Sequence, residues 1–332
     1  MGRGAHLHSA LKRGLQPGDS LYLWGRRGFE ALERWAQENG SPLIRVEDGF
    51  IRSVGLGSDL TQPFSLVFDR QGIYFDPTRP SDLESLLERG EFNETLLERA
   101  RRLRRRILEE KFSKYNVPTG ASLEVPAGRQ IILVPGQVED DASIRYGGEG
   151  MSNLELLRLV RESAPEAYIL YKPHPDVLAG NRIGHIPEAE ARRYCDQIVT
   201  EVGLDTVLER ADAVHTITSL VGFEALMRGK EVATYGMPFY AGWGLTRDRR
   251  RCKRRTRKLT LDELVAGTLI LYPRYLNPET LRPCDVEQTL EGLAGRKRRL
   301  ERSRWLRWGM RLRNLPIRTV QRMRIIVKRL GT

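Results

Sequence analysis

The chain has 332 residues and a net charge of +12 at pH 7, with 40% hydrophobic residues, 31 glycines and 17 prolines, which suits two ordinary domains with their own cores and excludes a disordered chain. No run of about 18 apolar residues occurs, which argues against a membrane-spanning helix, and three widely spaced cysteines (Cys195, Cys252, Cys284) argue against a disulfide framework or a zinc pattern. The charge is uneven: from Arg296 to Thr332 fourteen Lys and Arg stand against Glu301 alone, so the other 295 residues carry about −1.

In chain order, the N-terminal MGRGAHLHSALKRG lacks an apolar signal core, so a cytoplasmic setting is expected. DSLYLWG reads as a strand, GFEALERWAQENG as a helix stopped by Gly40, and PLIRVEDGFIRS as a strand running into a loop, the β-α-β spacing of a parallel unit. Residues 81–115 are strongly helical. The six arginines between Arg99 and Arg106 suit either an anion site or a solvated helix face. A loop rich in Pro and Gly, NVPTGASLEVPAGR, divides this half from a clearer α/β alternation. There the strands IILVPG, AYILYKPHPD, AVHTIT and EVATYG alternate with the helices NLELLRLVRESA, DTVLERA and SLVGFEALMRG. The expected fold is α/β and GT-B-like, with two Rossmann-like domains facing a cleft. The expected divisions are an N-terminal domain over 1–125, a C-terminal ligand-binding domain over 126–278, and a basic helical tail over 279–332.

Ligands of open parallel sheets bind outside the carboxyl ends of the strands, and three strand ends of the second half carry polar clusters. GQVEDDAS follows the first, with Glu139, Asp140 and Asp141. KPHPD follows the second, with Lys172 and His174 held between prolines and both cations placed to face an anion. TITSLVGFEALMRGK follows the third and puts Thr218 and Ser219 at a helix start, which is either a phosphate site or a plain N-cap. Glu224, further along that helix, is either a ribose ligand or a surface glutamate. Neither a Walker-type loop nor G-x-G-x-x-G after the first strand is present, against ATPase and dehydrogenase readings. The acids of EDGF (Glu47, Asp48) and of VEDDAS end strands in opposite halves. Two carboxylates on opposite walls of a cleft suit glycosyl transfer, and loop solubility or helix capping is the bland alternative for each.

RVEDGFIRSVGLG, SKYN, GQVEDDASIRYGG, YKPHPDV, TITSLVGFEALMRGK and TYGMPFYAGWGLT, in this order between about Leu21 and Pro278, resemble the capsule-polysaccharide β-Kdo glycosyltransferases of Gram-negative bacteria, the KpsC type. The resemblance implies a retaining transfer of Kdo from CMP-Kdo to a β-Kdo linker on a phosphatidylglycerol lipid. It places the catalytic aspartate at Asp141 and the acid/base at Glu47. The CMP phosphate falls to His174 and Ser219, with Lys172, Thr218, Glu224, Gln137 and Ser143 completing the donor-binding set. Arg52, Lys114, Tyr115 and Asn116 would face the sugar acid. No cofactor and no metal are implied, since CMP-Kdo is itself a substrate, although the EDD cluster is also a conceivable Mg²⁺ site. Typical members carry two modules with different linkages and this chain carries one. GQVEDDAS looks more like the second, which implies a β-2,7 rather than a β-2,4 product.

In the tail, Ile317, Val320, Met323, Val327 and Leu330 recur at helical spacing with Arg318, Arg322, Lys328 and Arg329 on other faces, and Trp305, Trp308 and Leu312 form a similar stripe upstream. A basic amphipathic helix of this kind lies in a membrane interface, so the enzyme is expected to sit peripherally on the anionic inner face of the inner membrane, with other capsule assembly proteins as further candidate partners. The alternative function is nucleic-acid binding through the tail and the Arg99–Arg106 helix, which leaves the three polar strand ends unexplained.

Overall fold

A computed structural model describes residues 7–26, 28–51, 63–110, 122–180 and 182–302. Eleven strands are found there: β1 (Leu21–Trp24), β2 (Leu43–Asp48), β3 (Ser65–Asp69), β4 (Ile131–Pro135), β5 (Tyr168–Lys172), β6 (Gln197–Ile198), β7 (Ala213–Thr216), β8 (Glu231–Thr234), β9 (Arg247–Asp248), β10 (Pro273–Leu276) and β11 (Pro283–Cys284).

The second half is the simpler one. Its six strands run in the order β6-β5-β4-β7-β8-β9, and every neighbouring pair is parallel. A parallel strand covered on both faces reads as a continuous apolar run, and IILVP, β4, is buried at all five positions. The strand order reverses between β4 and β7, so the loops after these two strands diverge and leave a crevice at their carboxyl ends. That crevice is where GQVEDDAS and TITSLVG emerge.

The first sheet departs from expectation. Its order is β1-β2-β3-β10-β11, and only β1 and β2 are parallel, joined by the helix Glu30–Glu38 that buries Leu32 and Ala36. β3 runs antiparallel to β2 and to β10, and β10 antiparallel to β11. The expectation of a Rossmann-like first half is therefore corrected: a Rossmann-like sheet is parallel throughout, and beyond β1-β2 every neighbouring pair of this sheet is antiparallel. The chain re-enters it at Pro273, so the last strand of the segment 126–278 belongs to the first sheet.

Helix Val286–Arg302 then packs inward, burying Val286, Leu290, Leu293 and Ala294 in the same core. Arg99 Nε and NH2 donate to the two Glu287 carboxylate oxygens at 2.8 and 2.7 Å. The helix Glu94–Glu109 is capped by Asn93 and buries Ala100, Leu103 and Ile107. Arg99, Arg101 and Arg106 on it each meet a carboxylate, so these side chains are engaged in ion pairs within the chain. The tail residues from 303 onward, Trp305 and Trp308 among them, lie outside the described residues. No helix among the described residues is long and apolar enough to cross a membrane.

One apolar cluster runs through both sheets. Phe50, just past β2, stands 4.8 Å ring to ring from both Tyr74 and Phe239, and Phe239 stands 5.3 Å from Phe223 on the helix Leu220–Met227. Phe239 belongs to the loop after β8, and buried polar bonds hold that loop. Trp243 Nε1 donates to the Phe239 carbonyl at 2.8 Å. Buried Glu84 accepts from Arg254 and Arg255, and Arg255 NH1 also donates to the Pro238 and Ala241 carbonyls at 2.6 and 2.7 Å. The connection between the halves is thus a packed core, which fixes both walls of the crevice relative to each other.

Candidate active site

A cavity of about 700 Å³ occupies the crevice, with Trp24, Glu47, Gly49 and Phe50 from the first sheet on one side and the β4, β5 and β7 ends on the other. Its size is that of a pocket for a nucleotide-like ligand.

The β4 end is locked first. Gly136 passes so close to the next strand that a Cβ there would lie 2.9 Å from the Tyr171 hydroxyl and 3.2 Å from the Pro173 Cα. Gln137, 7% exposed, reaches across the switch point: its Oε1 accepts from the Thr218 N–H at 3.0 Å and the Thr216 hydroxyl at 3.2 Å, and its Nε2 donates to the Thr218 hydroxyl at 3.0 Å. Glu139 accepts from the Asn153 N–H at 2.7 Å, and Asn153 bonds the Gln137 backbone in both directions at 2.8 Å. Two members of the motif therefore hold the loop, and the next two carboxylates line the cavity.

Asp141 is the N-cap of the helix Ala142–Gly147. Its Oδ1 accepts from both the N–H and the hydroxyl of Ser143 at 2.9 Å, which fixes the side-chain rotamer and turns the carboxylate over the helix start. Its Oδ2 stands 4.0 Å from Arg182 NH2. Arg182 places Nε and NH2 at 3.2 and 3.0 Å from Asp140 Oδ1.

At the β5 end, His174 caps the short helix Pro175–Leu178, its Nδ1 accepting from the Asp176 N–H at 3.1 Å. In a neutral imidazole that acceptor role puts the proton on Nε2, which makes Nε2 a donor. Lys172 donates to the Val202 carbonyl at 2.6 Å, and burial lowers its pKa from the ordinary lysine value. At the β7 end, Ser219 caps Leu220–Met227 by accepting from the Val221 N–H at 3.2 Å. Glu224 lies buried in that helix at 4% exposure and also lines the cavity. Three helix starts after three neighbouring strands thus open on one space, an arrangement that favours an anionic ligand. Glu47 stands on β2 opposite Val67, with one carboxylate oxygen accepting from the Asp48 N–H at 3.0 Å.

Asp141, Glu47, Lys172, His174, Thr218, Ser219, Glu224, Gln137 and Ser143 all line this one cavity. Arg52, Lys114, Tyr115 and Asn116 lie outside the described residues. Among the lining residues, sequence reasoning missed three charged ones, Arg26, Asp176 and Arg182. Asp176 stands inside the quoted KPHPD and was open to notice. Arg26 pairs with Asp76 and lies 4.4 Å over the Tyr146 ring. No local pattern marks it or Arg182, because their partners are remote in sequence. Among the described residues no group of three or more His, Cys, Asp or Glu side chains is placed to hold a metal ion.

The chain is similar to several known proteins. The family described as capsule polysaccharide biosynthesis protein matches residues 19–275. The capsule polysaccharide modification protein LipA of Neisseria meningitidis serogroup B is 51% identical over 278 residues, 83% of this chain and 39% of LipA. The lipopolysaccharide-processing protein LpsZ of Rhizobium meliloti is 45% identical over 280 residues, 83% of this chain and 64% of LpsZ. The chain thus spans less than two thirds of the length of these curated relatives. Among solved structures, the β-Kdo 2,4 transferase of Thermosulfurimonas dismutans KpsC superposes with a TM-score of 0.75 at 39% identity, covering 82% of this chain and 86% of that one. The KpsC β-Kdo 2,7 transferase gives 0.73 at 40%, covering 88% and 90%.

Proposed function

We propose, from the premise that this chain belongs to the capsule polysaccharide biosynthesis protein family, that it is a retaining glycosyltransferase moving Kdo from CMP-Kdo to a β-Kdo oligosaccharide on (lyso)phosphatidylglycerol. The observation that carries this reading is the convergence of nine candidate residues, from both halves of the chain, on one cavity at the switch point of the parallel sheet. The likeness to two Kdo transferases supplies the chemistry. In this reading the two sheets form a GT-B-like pair with the donor on the parallel one, and the basic tail holds the enzyme against the inner membrane.

The reaction runs by double displacement. The CMP phosphate sits at the helix starts after β5 and β7, where His174 Nε2–H, the Ser219 region and backbone N–H groups bear the charge of the leaving group. Asp141, turned by its two bonds from Ser143, attacks the anomeric carbon as the bond to CMP breaks. Glu47 then takes the proton of the acceptor hydroxyl as that oxygen displaces Asp141. Two inversions give retention. The donors for the leaving group come from the protein, so the reading requires no metal.

The deciding experiment measures CMP release from CMP-Kdo with and without a β-Kdo disaccharide acceptor, followed by NMR of the product to read its linkage. Acceptor-dependent release with a β-Kdo product is expected. An inert wild-type protein would remove the reading. The nucleic-acid alternative is not favoured, because Arg99, Arg101 and Arg106, on the helix it relies on, are engaged by carboxylates.

A further inference from the structure

One face of the first sheet carries exposed aromatic residues over the buried Ile44 and Val46. Tyr22 and Trp24 on β1 share a face by strand alternation, and both are exposed, at 61% and 44%. Register puts Tyr22 beside Ile44, and Phe68 beside Val46 on the same face. The Tyr22 and Phe68 rings stand 6.4 Å apart, edge to face. Arg274, opposite Leu66 in β10, falls on this face as well. Tyr22, Phe68, Arg70, Asp82 and Arg274 border a second cavity of about 460 Å³. Trp24 lines the cavity of the candidate active site, and Tyr22, on the same face of β1, borders the second cavity.

The polar groups of this groove are unequal. Asp82 is already engaged, its Oδ1 accepting from Gln71 Nε2 at 2.9 Å and its Oδ2 from the Arg70 N–H at 2.8 Å. Neither the Arg70 nor the Arg274 guanidinium has a carboxylate partner among the described residues, whereas many other arginines of the chain do. Exposed aromatic rings gathered on one face suit a contact surface. Aromatic rings offer apolar platforms for the C–H faces of pyranoses, and a guanidinium forks onto a carboxylate.

We infer that this groove binds the distal part of an acidic oligosaccharide acceptor, sugar rings lying on Tyr22 and Phe68 and sugar carboxylates on Arg70 and Arg274, while the acceptor's reacting end enters the catalytic cavity past Trp24. The identity of the glycan as an acceptor rests on the transferase reading above. The capacity of the groove for an acidic saccharide does not.

The test is built so that the two fail separately. Calorimetric titration at low salt uses a galacturonic acid hexamer as the acidic probe, maltohexaose as the neutral one and a twelve-nucleotide oligo(dT) as the competing polyanion. The acidic hexamer should bind the wild type, Arg70→Glu with Arg274→Glu should weaken that binding at least tenfold, and Tyr22→Ala with Phe68→Ala should do the same with the charge intact. Maltohexaose should bind at least tenfold more weakly. In turnover, the arginine pair should raise KM at least tenfold for a long β-Kdo acceptor and leave KM for CMP-Kdo and for a disaccharide acceptor within twofold. Unaltered hexamer binding in both folded double variants overturns the inference, as does tighter binding of oligo(dT) at the same residues. A wild-type dimer dispersed by Arg274→Glu, seen by sedimentation, would assign the face to a second copy and equally overturn it. An inactive wild type that still binds the hexamer through these residues would remove the transferase reading and leave the groove standing.

Discussion

Replacing Asp141 separates two roles of one carboxylate, the helix cap seen in the structure and the nucleophile of the proposed reaction. As a cap, Asp141 Oδ1 accepts two bonds at 2.9 Å from Ser143, and losing an N-cap of this kind costs about 1 kcal/mol. In a chain of this size that lowers the melting temperature by about 2–4 °C at most. Asn caps about as well as Asp, so Asp141→Asn should melt with the wild type and Asp141→Ala slightly earlier. As a nucleophile the amide fails as completely as alanine does, and removing a covalent nucleophile costs on the order of 10³-fold or more in rate. Both variants should therefore lose transfer from CMP-Kdo by that factor. CMP affinity should stay within about threefold, because the phosphate donors belong to the β5 and β7 ends. Turnover by CMP release, melting by circular dichroism and affinity by calorimetry give the three readouts. If Asp141→Asn keeps a tenth of the wild-type rate, the nucleophile is another residue. If both variants lose CMP binding in parallel with activity, Asp141 grips the donor instead.

His174→Ala and Ser219→Ala should each weaken CMP binding by roughly 1–3 kcal/mol, the range for bonds to a charged group; unchanged calorimetric affinity in both moves the phosphate elsewhere. His215 on β7 is half-buried beside Tyr235, and desolvation first, then the charges of Arg249 and Arg247, lower its pKa from 6.5 to about 4. The unfolded chain then binds more protons below pH 6.5, so stability is complete above that pH and falls by about 3 kcal/mol as pH drops to 4; urea unfolding at pH 7.5, 5.5 and 4.5 should show this slope, flattened in His215→Gln, and an unaltered slope refutes the assignment. Glu84→Ala strands Arg255, which is only 8% exposed, and should cost about 3–5 kcal/mol in denaturant unfolding, with a loss below 1 kcal/mol contradicting a stabilising ion pair. Deleting the residues after Arg302 should leave turnover on a short soluble Kdo acceptor and abolish binding to phosphatidylglycerol vesicles at low salt, each surface-near cation contributing about 1 kcal/mol; equal vesicle binding by full and shortened chains removes the membrane role of the tail.

The second half was legible because its signals are local. IILVP, YILYK and AVHT are short strand runs, and the capping residue of a helix, Asp141, His174 or Ser219, follows a short loop after each. A parallel sheet makes strand end, loop and helix start contiguous in sequence, so a ligand-binding crevice is written in three unbroken stretches. The first half hides its topology for the opposite reason. SLVFD is short, with Val67 and Phe68 on opposite faces, and PRYL opens with a proline that cannot donate to a ladder. Each has a near antiparallel partner, β2 for β3 and β11 for β10, but the pairing that joins β3 to β10 spans about 200 residues.

The same distinction separates the site residues that sequence reading reached from those it missed. Asp141 and Ser219 advertise themselves by capping position, whereas Arg182 gains a role only because Asp140 lies 42 residues before it in sequence and 3.0 Å from it in space. Glu47 is intermediate. Its strand was visible, yet what brings it to the cavity is the Phe50, Phe239 and Phe223 packing that ties β2 to the helix after β7. In the proposed reaction that packing matters for catalysis, because a carboxylate from one sheet and a capping aspartate from the other would have to face the same carbon within about half an ångström of the productive geometry. Loosening Phe50 would therefore be felt in the acceptor step before it was felt in CMP binding, since the donor loops all spring from the parallel sheet alone.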